Sequence, residues 1–576
     1  MVRWVPILVV ALVGFIGLNE ADSGRVDDPP IVWSDEGPLT WEPRPTESGI
    51  VANDLRTHLY QIADDSMKGR ASGSLGNWKT TQYIAGVFES LGLEPGGDDG
   101  WFQDLAYGPL AFDPDAASLT TESRGFGTGL EWAPVPPSAN NRFGGDFTGE
   151  NIETVFGGMW GDTQVPLPSA LVRGKAVVFM GPPPPTGGRG GGRRGGGLTT
   201  DTRAQAAGAA LVMIASEILS SAATNAAFGG RTGLMPNVAS VIGGAMISDS
   251  AVDGIFGQSA VALQVGATGA PVSGSWHYAL RPTEYPTRNV IAVLRGSDPA
   301  LAGQYVLVGA HSDHVGMVNG APLDHDSLRS FNRVMRPQGA NDRPGAPTSE
   351  QQAEIDSLIA FARSIRPPTL DSIMNGADDD GSGTAVLLEI AQHFATRPAP
   401  KRSIVFISHA AEESGLLGSQ WFTDHPTIPL DSIVAAHNMD MLGKGRVTDV
   451  QFGGPNSVQM LGARRLSSDF GDIIDSLNAV RDEPMAIDYS WDRTNKLNRF
   501  CRSDQVNYFR FAIPVTYFSL GYAQDYHQAS DEARYIDFEH GARLGRFVAD
   551  IMRTIADRPT RLTVLPLEER DLSAAC

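Results

Sequence analysis

Apolar residues recur at helical spacing in two stretches near the start of the folded sequence. Residues 52–64 and 76–91 both read as amphipathic helices, with apolar positions near i, i+3 and i+4, and Gly92 stops the second. The loop between them is GRASGSLGN. From about Asp113 to Arg281 the pattern changes to short apolar runs among Gly, Pro and Thr, such as residues 175–180 (KAVVFM) and 210–215 (ALVMIA), which predicts a β-rich module. After Pro282, strand and helix alternate. Residues 290–295, 305–310, 403–408 and 433–438 predict buried strands, and residues 383–394 and 539–556 predict helices. Such alternation predicts an α/β domain whose mixed sheet is covered by helices on both faces, with ligands at the carboxyl ends of the strands.

The ends and linkers read differently. Arg3 precedes an apolar run over residues 4–18, the pattern of a secretory signal or of an N-terminal anchor that stays uncleaved, so the folded part is expected outside the cytoplasm. The run is short for a membrane span. Residues 22–49 are Pro-rich and aperiodic, hence a linker. Residues 181–197, GPPPPTGGRGGGRRGGG, have almost no side chains to bury and read as a surface loop.

At 576 residues the chain exceeds one core and calls for two or more folded units. With 45 Lys+Arg against 66 Asp+Glu, the net charge of -21 excludes nucleic acid as a general partner. Cys501 and Cys576 are the only cysteines, too few for a disulfide framework, and are expected as free thiols, with one disulfide between them as the alternative.

The candidate chemistry follows the strand ends. His311 follows residues 305–310 at once, Glu412 and Glu413 come soon after residues 403–408, and Asp440 follows residues 433–438. Asp379 lies in a triplet before the helix that begins near Ser382, and His527 stands near the C-terminus. Two imidazoles and three carboxylates suit two zinc ions sharing one carboxylate, which leaves one residue to handle a proton. Each has a plainer reading: a structural histidine, or carboxylates that satisfy helix amides or flank a turn. Their convergence on one sheet edge favours metal, because carboxylates beside buried strands are costly without positive charge among them. GAND at residues 339–342 copies a metal-loop pattern but reads as loop within a polar stretch. His314, His325, His409 and His437 are not needed to complete the ligand set.

Five ordered strings carry a resemblance: AHSDH (310–314), GADDDGSG (376–383), AEESGLLGS (411–419), NMDM (438–441) and DYHQASDE (525–532). They resemble the signatures of the bacterial leucyl aminopeptidase family of di-zinc exopeptidases, whose relatives include glutamate carboxypeptidase II and the transferrin receptor. The resemblance covers residues 282–560 as the catalytic domain and residues 50–112 as its N-terminal part. The module at 113–281 is more loosely similar to a protease-associated domain, and residues 561–576 form a tail. It implies the zinc exopeptidase fold and two zinc ions per chain. Asp379 would bridge them, with His311 and Asp440 completing one site and Glu413 and His527 the other. Asp313 would orient His311, Glu412 would be the general base acting on a metal-bridged hydroxide, and Tyr526 would donate to the oxyanion.

The implied activity is that of an exported aminopeptidase acting on peptides. A carboxypeptidase or dipeptidase is the alternative, and a non-enzymatic binding ectodomain the remote one. Residues 317–375 depart from the family pattern as a long insertion, expected to form a lid or a wall of the specificity pocket. Arg493, Arg499, Arg502 and Asp504 are exposed-looking candidates for recognising a substrate terminus.

Overall fold

Strands in the C-terminal half are apolar on both sides. Val306, Val308 and Ala310 belong to one buried cluster and Leu307 to another; Ile404 and Phe406 divide in the same way from Val405 and Ile407. Runs of this kind fold as interior strands with helices above and below. The computed structural model describes residues 30–135, 145–160, 167–181, 208–215, 231–234, 242–444, 456–492 and 498–570.

A nine-stranded mixed sheet is built from β1 (Glu94–Pro95), β2 (Phe102–Asp104), β3 (Arg288–Leu294), β4 (Tyr305–His311), β5 (Ser403–His409), β6 (Ile433–Met439), β7 (Ser457–Leu461), β8 (Ala486–Asp488) and β9 (Val515–Ser519). The order is β1-β3-β5-β4-β6-β9-β7-β8, with β2 also on β3. Strands β5, β4, β6 and β9 are parallel, β3 runs antiparallel to its neighbours, and β7 runs antiparallel to β9 and parallel to β8. In register, His311 pairs with His409 and Gly309 with Asn438, so the ends of β4, β5 and β6 open on one edge.

The helices are α1 (Ala52–Ile62), α2 (Leu75–Ser90), α3 (His325–Met335), α4 (Ser349–Ile365), α5 (Gly383–Ala395) and α6 (Phe538–Asp557), with a short helix at Leu417–Asp424 and another at Gln505–Phe509. One face of the sheet packs against α1, α2, α5 and α6 in a single cluster. The other face is covered by the two short helices, through Phe422 and Tyr508. Helices on both faces of a mixed sheet match the expectation from strand alternation.

A second, seven-stranded sheet runs in the order Ser118–Thr121, Thr268–Trp276, Phe147–Met159, Ala176–Met180, Leu211–Ala215, Gly243–Ile247, Trp132–Pro134. It has its own core around Trp132, Trp276 and Val178. Most of the Gly/Arg-rich stretch, residues 182–197, lies outside the described residues, as do residues 1–29 with the apolar run. Among the described residues no helix is long and apolar enough to cross a membrane.

Two expectations fail, and one element was not foreseen. GAND lies, as expected, in a connection, with a single 3-10 turn at Gly339–Asn341, but the insertion around it folds as α3 and α4, capped by Asp324 on the amide of Ser327 and by a Thr348–Gln351 capping box. The buried side of α3 is mostly polar, with Asp326, Arg329, Ser330 and Asn332 beside Met335, and α4 buries only Ile355 and Ala362, so the apolar periodicity is weak. Cys501 is not a free thiol but disulfide-bonded; the chain's other cysteine, Cys576, lies outside the described residues. Arg499 and Asp504 are buried, not exposed, with Asp504 accepting from Ser419 Oγ at 2.5 Å and standing 3.4 Å from His409. Arg502 is half-buried over the Tyr522 ring, and Arg493 lies outside the described residues.

Candidate metal centre

The end of β4 delivers His311 into a buried pocket of carboxylates. Its Nε2 lies 3.3 Å from Asp379 Oδ1, 3.5 Å from Asp440 Oδ1 and 3.9 Å from Glu412 Oε2. On the other side of Asp379, His527 Nε2 is 2.9 Å from Asp379 Oδ2 and 3.0 Å from Glu413 Oε1. Asp379 is therefore common to two groups of ligand-type atoms: His311, Asp379 and Asp440, and His314, Asp379, Glu413 and His527. His527 alone of the five expected ligands leaves about a quarter of its side chain exposed, at 26%.

Whether these groups suit metal can be tested on their lone pairs. Buried polar atoms ordinarily find hydrogen-bond partners. Here His311 Nε2, His527 Nε2, Asp379 Oδ2 and Asp440 Oδ1 are buried and make no hydrogen bond. Imidazole nitrogen with carboxylate oxygen is a zinc-type donor set, and its unspent atoms face one another. The residues fit the ions.

The triplet Asp378–Asp380 divides its labour. Asp380 accepts from the amides of Gly383 (2.9 Å), Met441 (3.1 Å) and His311 (3.1 Å), so one carboxylate ties α5, the turn after β6 and the end of β4 together. Asp378 accepts from Gly443 N at 2.7 Å, and the amides of Asp378 and Asp379 donate to Asp531. Held on both sides, Asp379 keeps its own oxygens for the centre. Ala411, Met441 and His527 have φ of 53°, 63° and 58°. These left-handed conformations are costly for residues with a Cβ and recur where ligands must be aimed.

Burial works against charge here, and the neighbours decide the outcome. Burial opposes an imidazolium at His311, yet Glu412, Asp313, Asp379 and Asp440 outweigh it and raise its pKa well above 6.5. Burial also opposes charge on Asp379, but the imidazoles of His311 and His527 close beside it outweigh that and hold it well below 3.8. Burial lifts Asp378 and Asp380 well above their ordinary range, with Asp531 adding to the effect at Asp378 and Asp440 at Asp380.

Asp313 sits beside His311, but its carboxylate serves chiefly the next turn. His311 Nδ1 is 3.1 Å from the Asp313 carbonyl and 3.7 Å from its carboxylate. That carboxylate accepts from the amides of Glu412 (3.0 Å) and Glu413 (3.3 Å) and from Ser72 Oγ (3.0 Å). Tyr526 stacks on His527 with ring centroids 3.8 Å apart.

Two contributors escaped the sequence reading. His314, set aside there, has Nδ1 3.1 Å from Glu413 Oε1 and its ring 5.3 Å from that of His527. Its position, three residues past His311 at the same strand end, was the available signal. Arg70, in the GRASGSLGN loop, is fully buried, and its guanidinium donates to the carbonyls of Ser312 (3.0 Å), Gly376 (2.9 Å) and Asn375. It braces the chain beside His311 and Asp379 from a distant segment, and no local pattern reveals it. A small sheet, Tyr107–Phe112 with Arg231–Leu234 and Tyr278–Leu280, links the seven-stranded module to the centre. Tyr107 and Leu234 pack on Ala411 and Leu417, and Tyr107 Oη meets Ser414 Oγ at 2.9 Å.

Comparison with known proteins bears on this arrangement. Residues 352–552 match the model of Peptidase family M28. Aminopeptidase YwaD of Bacillus subtilis is 45% identical over 69 residues, 12% of this chain and 15% of that one. A probable zinc metalloprotease of Pyrenophora tritici-repentis is 39% identical over 88 residues, 15% of this chain and 20% of that one. Leucine aminopeptidase 1 of Sclerotinia sclerotiorum is 28% identical over 216 residues, 35% of this chain and 51% of that one. The chain spans a fifth or less of the length of the first curated relatives it matches. Among solved structures, a zinc aminopeptidase from Bacillus subtilis aligns over 90% of this chain and 98% of its own, at 16% identity and a TM-score of 0.42.

Proposed function

We propose that the chain, whose residues 352–552 match peptidase family M28, is a two-zinc aminopeptidase of that family that removes residues from the free N-terminus of peptides. One observation supports the reading: Asp379 is common to two groups of ligand-type side chains, in which His311 Nε2, His527 Nε2, Asp379 Oδ2 and Asp440 Oδ1 are buried without a hydrogen bond, with Glu412 beside them. His311, Asp379 and Asp440 would hold one ion; Asp379, Glu413 and His527 would hold the other, with His314 at its edge. When bound, the two ions supply Lewis-acid polarisation of the peptide carbonyl and a water of lowered pKa.

The chain's own groups do the rest. Glu412 takes the proton of the attacking water and returns it to the leaving amine. Asp313 holds Glu412 in position by accepting its amide and that of Glu413. Tyr526, against the exposed side of His527, would donate its hydroxyl to the oxyanion. The buried walls keep competing water from the carboxylates, which strengthens every charge interaction within.

Aminopeptidase rather than carboxypeptidase is favoured because the relatives named for an exopeptidase activity are aminopeptidases. Export is supported by the apolar run at residues 4–18 and by the disulfide at Cys501, a bond that persists in oxidising compartments. The seven-stranded module is the protease-associated insert in this reading, and the insertion at 317–375 is a wall of the substrate pocket. The insertion's Asn332 donates to Gln528 (2.8 Å), Arg336 to the carbonyl of Gln524 (3.3 Å) and the amide of Ala340 to that of Tyr522 (3.1 Å), along the segment that carries Tyr526 and His527. Deleting it should alter side-chain preference, and unchanged preference would remove that assignment.

The decisive experiment is mass spectrometry of a free peptide and of its N-acetylated and C-amidated forms after incubation with the protein, with and without a zinc chelator. Chelator-sensitive shortening of the free and C-amidated peptides only is expected. Shortening from the C-terminus would make the protein a carboxypeptidase, and no cleavage with zinc bound would refute a peptidase.

A further inference from the structure

A second group of ligand-type side chains lies where the insertion meets the segment after His527, and it shares no residue with the centre around Asp379. His325 opens α3, Asp371 closes the insertion four residues before Asn375, and Glu532 follows His527 by five positions. His325 Nε2 stands 3.1 Å from Asp371 Oδ2 and 3.9 Å from Glu532 Oε1. One ligand atom from each of the three lies within 4.8 Å of the others, and all three side chains are largely buried. We propose that His325, Asp371 and Glu532 form a third metal site, for a divalent transition ion of the zinc type.

The donors argue the ion. One neutral imidazole and two carboxylates carry two negative charges, which a divalent cation balances. Imidazole nitrogen selects zinc and its neighbours over calcium or magnesium, which take oxygen. Asp371 Oδ1, the oxygen not turned to His325, is engaged outside the site, as is usual for an aimed metal ligand, accepting from the amide of Ile373 at 2.8 Å. Asn375 closes the edge of the site, its Nδ2 donating to Asp65 Oδ1 at 2.9 Å and to both Glu532 oxygens at 3.3 Å.

Asn375 provides an independent observation. It is 2% exposed, its amide is aimed at Glu532, and its Oδ1 makes no hydrogen bond. The two ends of an amide exchange by a flip. The flipped amide would turn a neutral oxygen toward Glu532 at the edge of the site. Without a cation, burial pushes the Glu532 carboxyl up to about 8, despite His325 nearby. An ion here would pin both ends of the insertion to the segment bearing His527.

The test counts zinc. Wild-type protein, His325→Ala, Glu532→Gln and Asp440→Asn are loaded with zinc, freed of excess by gel filtration and analysed by plasma mass spectrometry. Wild type should hold three ions per chain, and His325→Ala and Glu532→Gln one fewer. Asp440→Asn should lose zinc from the other centre alone. Two ions in the wild type, or an unchanged count in His325→Ala, would overturn the proposal. Should the variants not fold, anomalous diffraction at the zinc edge from wild-type crystals decides: density between His325, Asp371 and Glu532 is expected, and density only around Asp379 refutes the site.

Discussion

The contact that fastens residues 30–37 to the insertion and the centre around Asp379 are both buried and both crowded with charge, yet they are balanced by different means. In the first, Arg366 lies between Glu36 Oε1 (2.7 Å) and Asp326 Oδ1 (2.6 Å), Arg363 adds a bond to Asp326 (3.0 Å), Trp33 Nε1 adds another (2.9 Å), and Asp35 pairs with Arg329. Every carboxylate there faces a guanidinium from the chain. In the second, the carboxylates of Asp379, Glu412, Glu413 and Asp440 face imidazoles, and several donor atoms make no hydrogen bond. Charge balanced within the chain is architecture, while charge left unbalanced calls for an ion from solution.

The sharpest way to separate the two is to remove one residue from each. Glu412→Gln should retain its zinc and its unfolding midpoint while kcat falls by about 10²–10⁴, the usual weight of a general base. Arg366→Ala should do the reverse. It takes from Glu36 and Asp326 the cation between them, leaving Arg534 3.5 Å from the first and Arg363 3.0 Å from the second; removing one partner of a buried pair costs about 3–5 kcal/mol, the upper bound here, read by urea unfolding with zinc content and turnover per folded molecule unchanged. A large loss of turnover in Arg366→Ala would mean that the contact belongs to the site's machinery.

Zinc removal should have a smaller effect on stability. An ion that binds only the folded chain stabilises it by about 2.7 kcal/mol at one hundred times its dissociation constant. Chelation should therefore lower wild-type and Arg366→Ala stability by equal amounts if only the ions around Asp379 contribute, because none of their ligands touches Arg366. Unequal losses would show that the insertion and the metal centre are coupled.

The same contrast explains what the sequence made legible. His311, Glu412, Glu413 and Asp440 could be found because each closely follows a strand whose apolar run is unmistakable, and Asp379 because a helix starts just beyond it. The sheet and α1, α2, α5 and α6 were likewise legible from local periodicity. Arg70 was not, because its carbonyl partners Ser312 and Gly376 lie 242 and 306 residues away. The helices of the insertion were missed for a related reason. The inward face of α3 carries Asp326 and Arg329, whose burial is made tolerable by Trp33, Asp35 and Arg366 from elsewhere in the chain, and α4 buries only Ile355 and Ala362. Apolar burial is written in local spacing; polar burial depends on partners that only the fold brings together.

Acid offers the finest test of the comparison. Burial alone would raise the carboxyls of Asp35 and Asp326, but Arg329 and Arg366 outweigh it and hold both below their ordinary value. A carboxylate depressed in the folded state adds stability that is full above its unfolded pKa, about 3.9, and is lost as pH falls through the lower folded value. In Arg366→Ala, Asp326 has lost its principal cation, so that contribution is already reduced. The stability gap between wild type and Arg366→Ala, measured by urea unfolding without metal, should hold above pH ~5 and narrow as pH falls below about 4. A gap that stays constant through this range would mean that the variant is weakened by lost packing, and that charge at Asp326 is not what Arg366 balances.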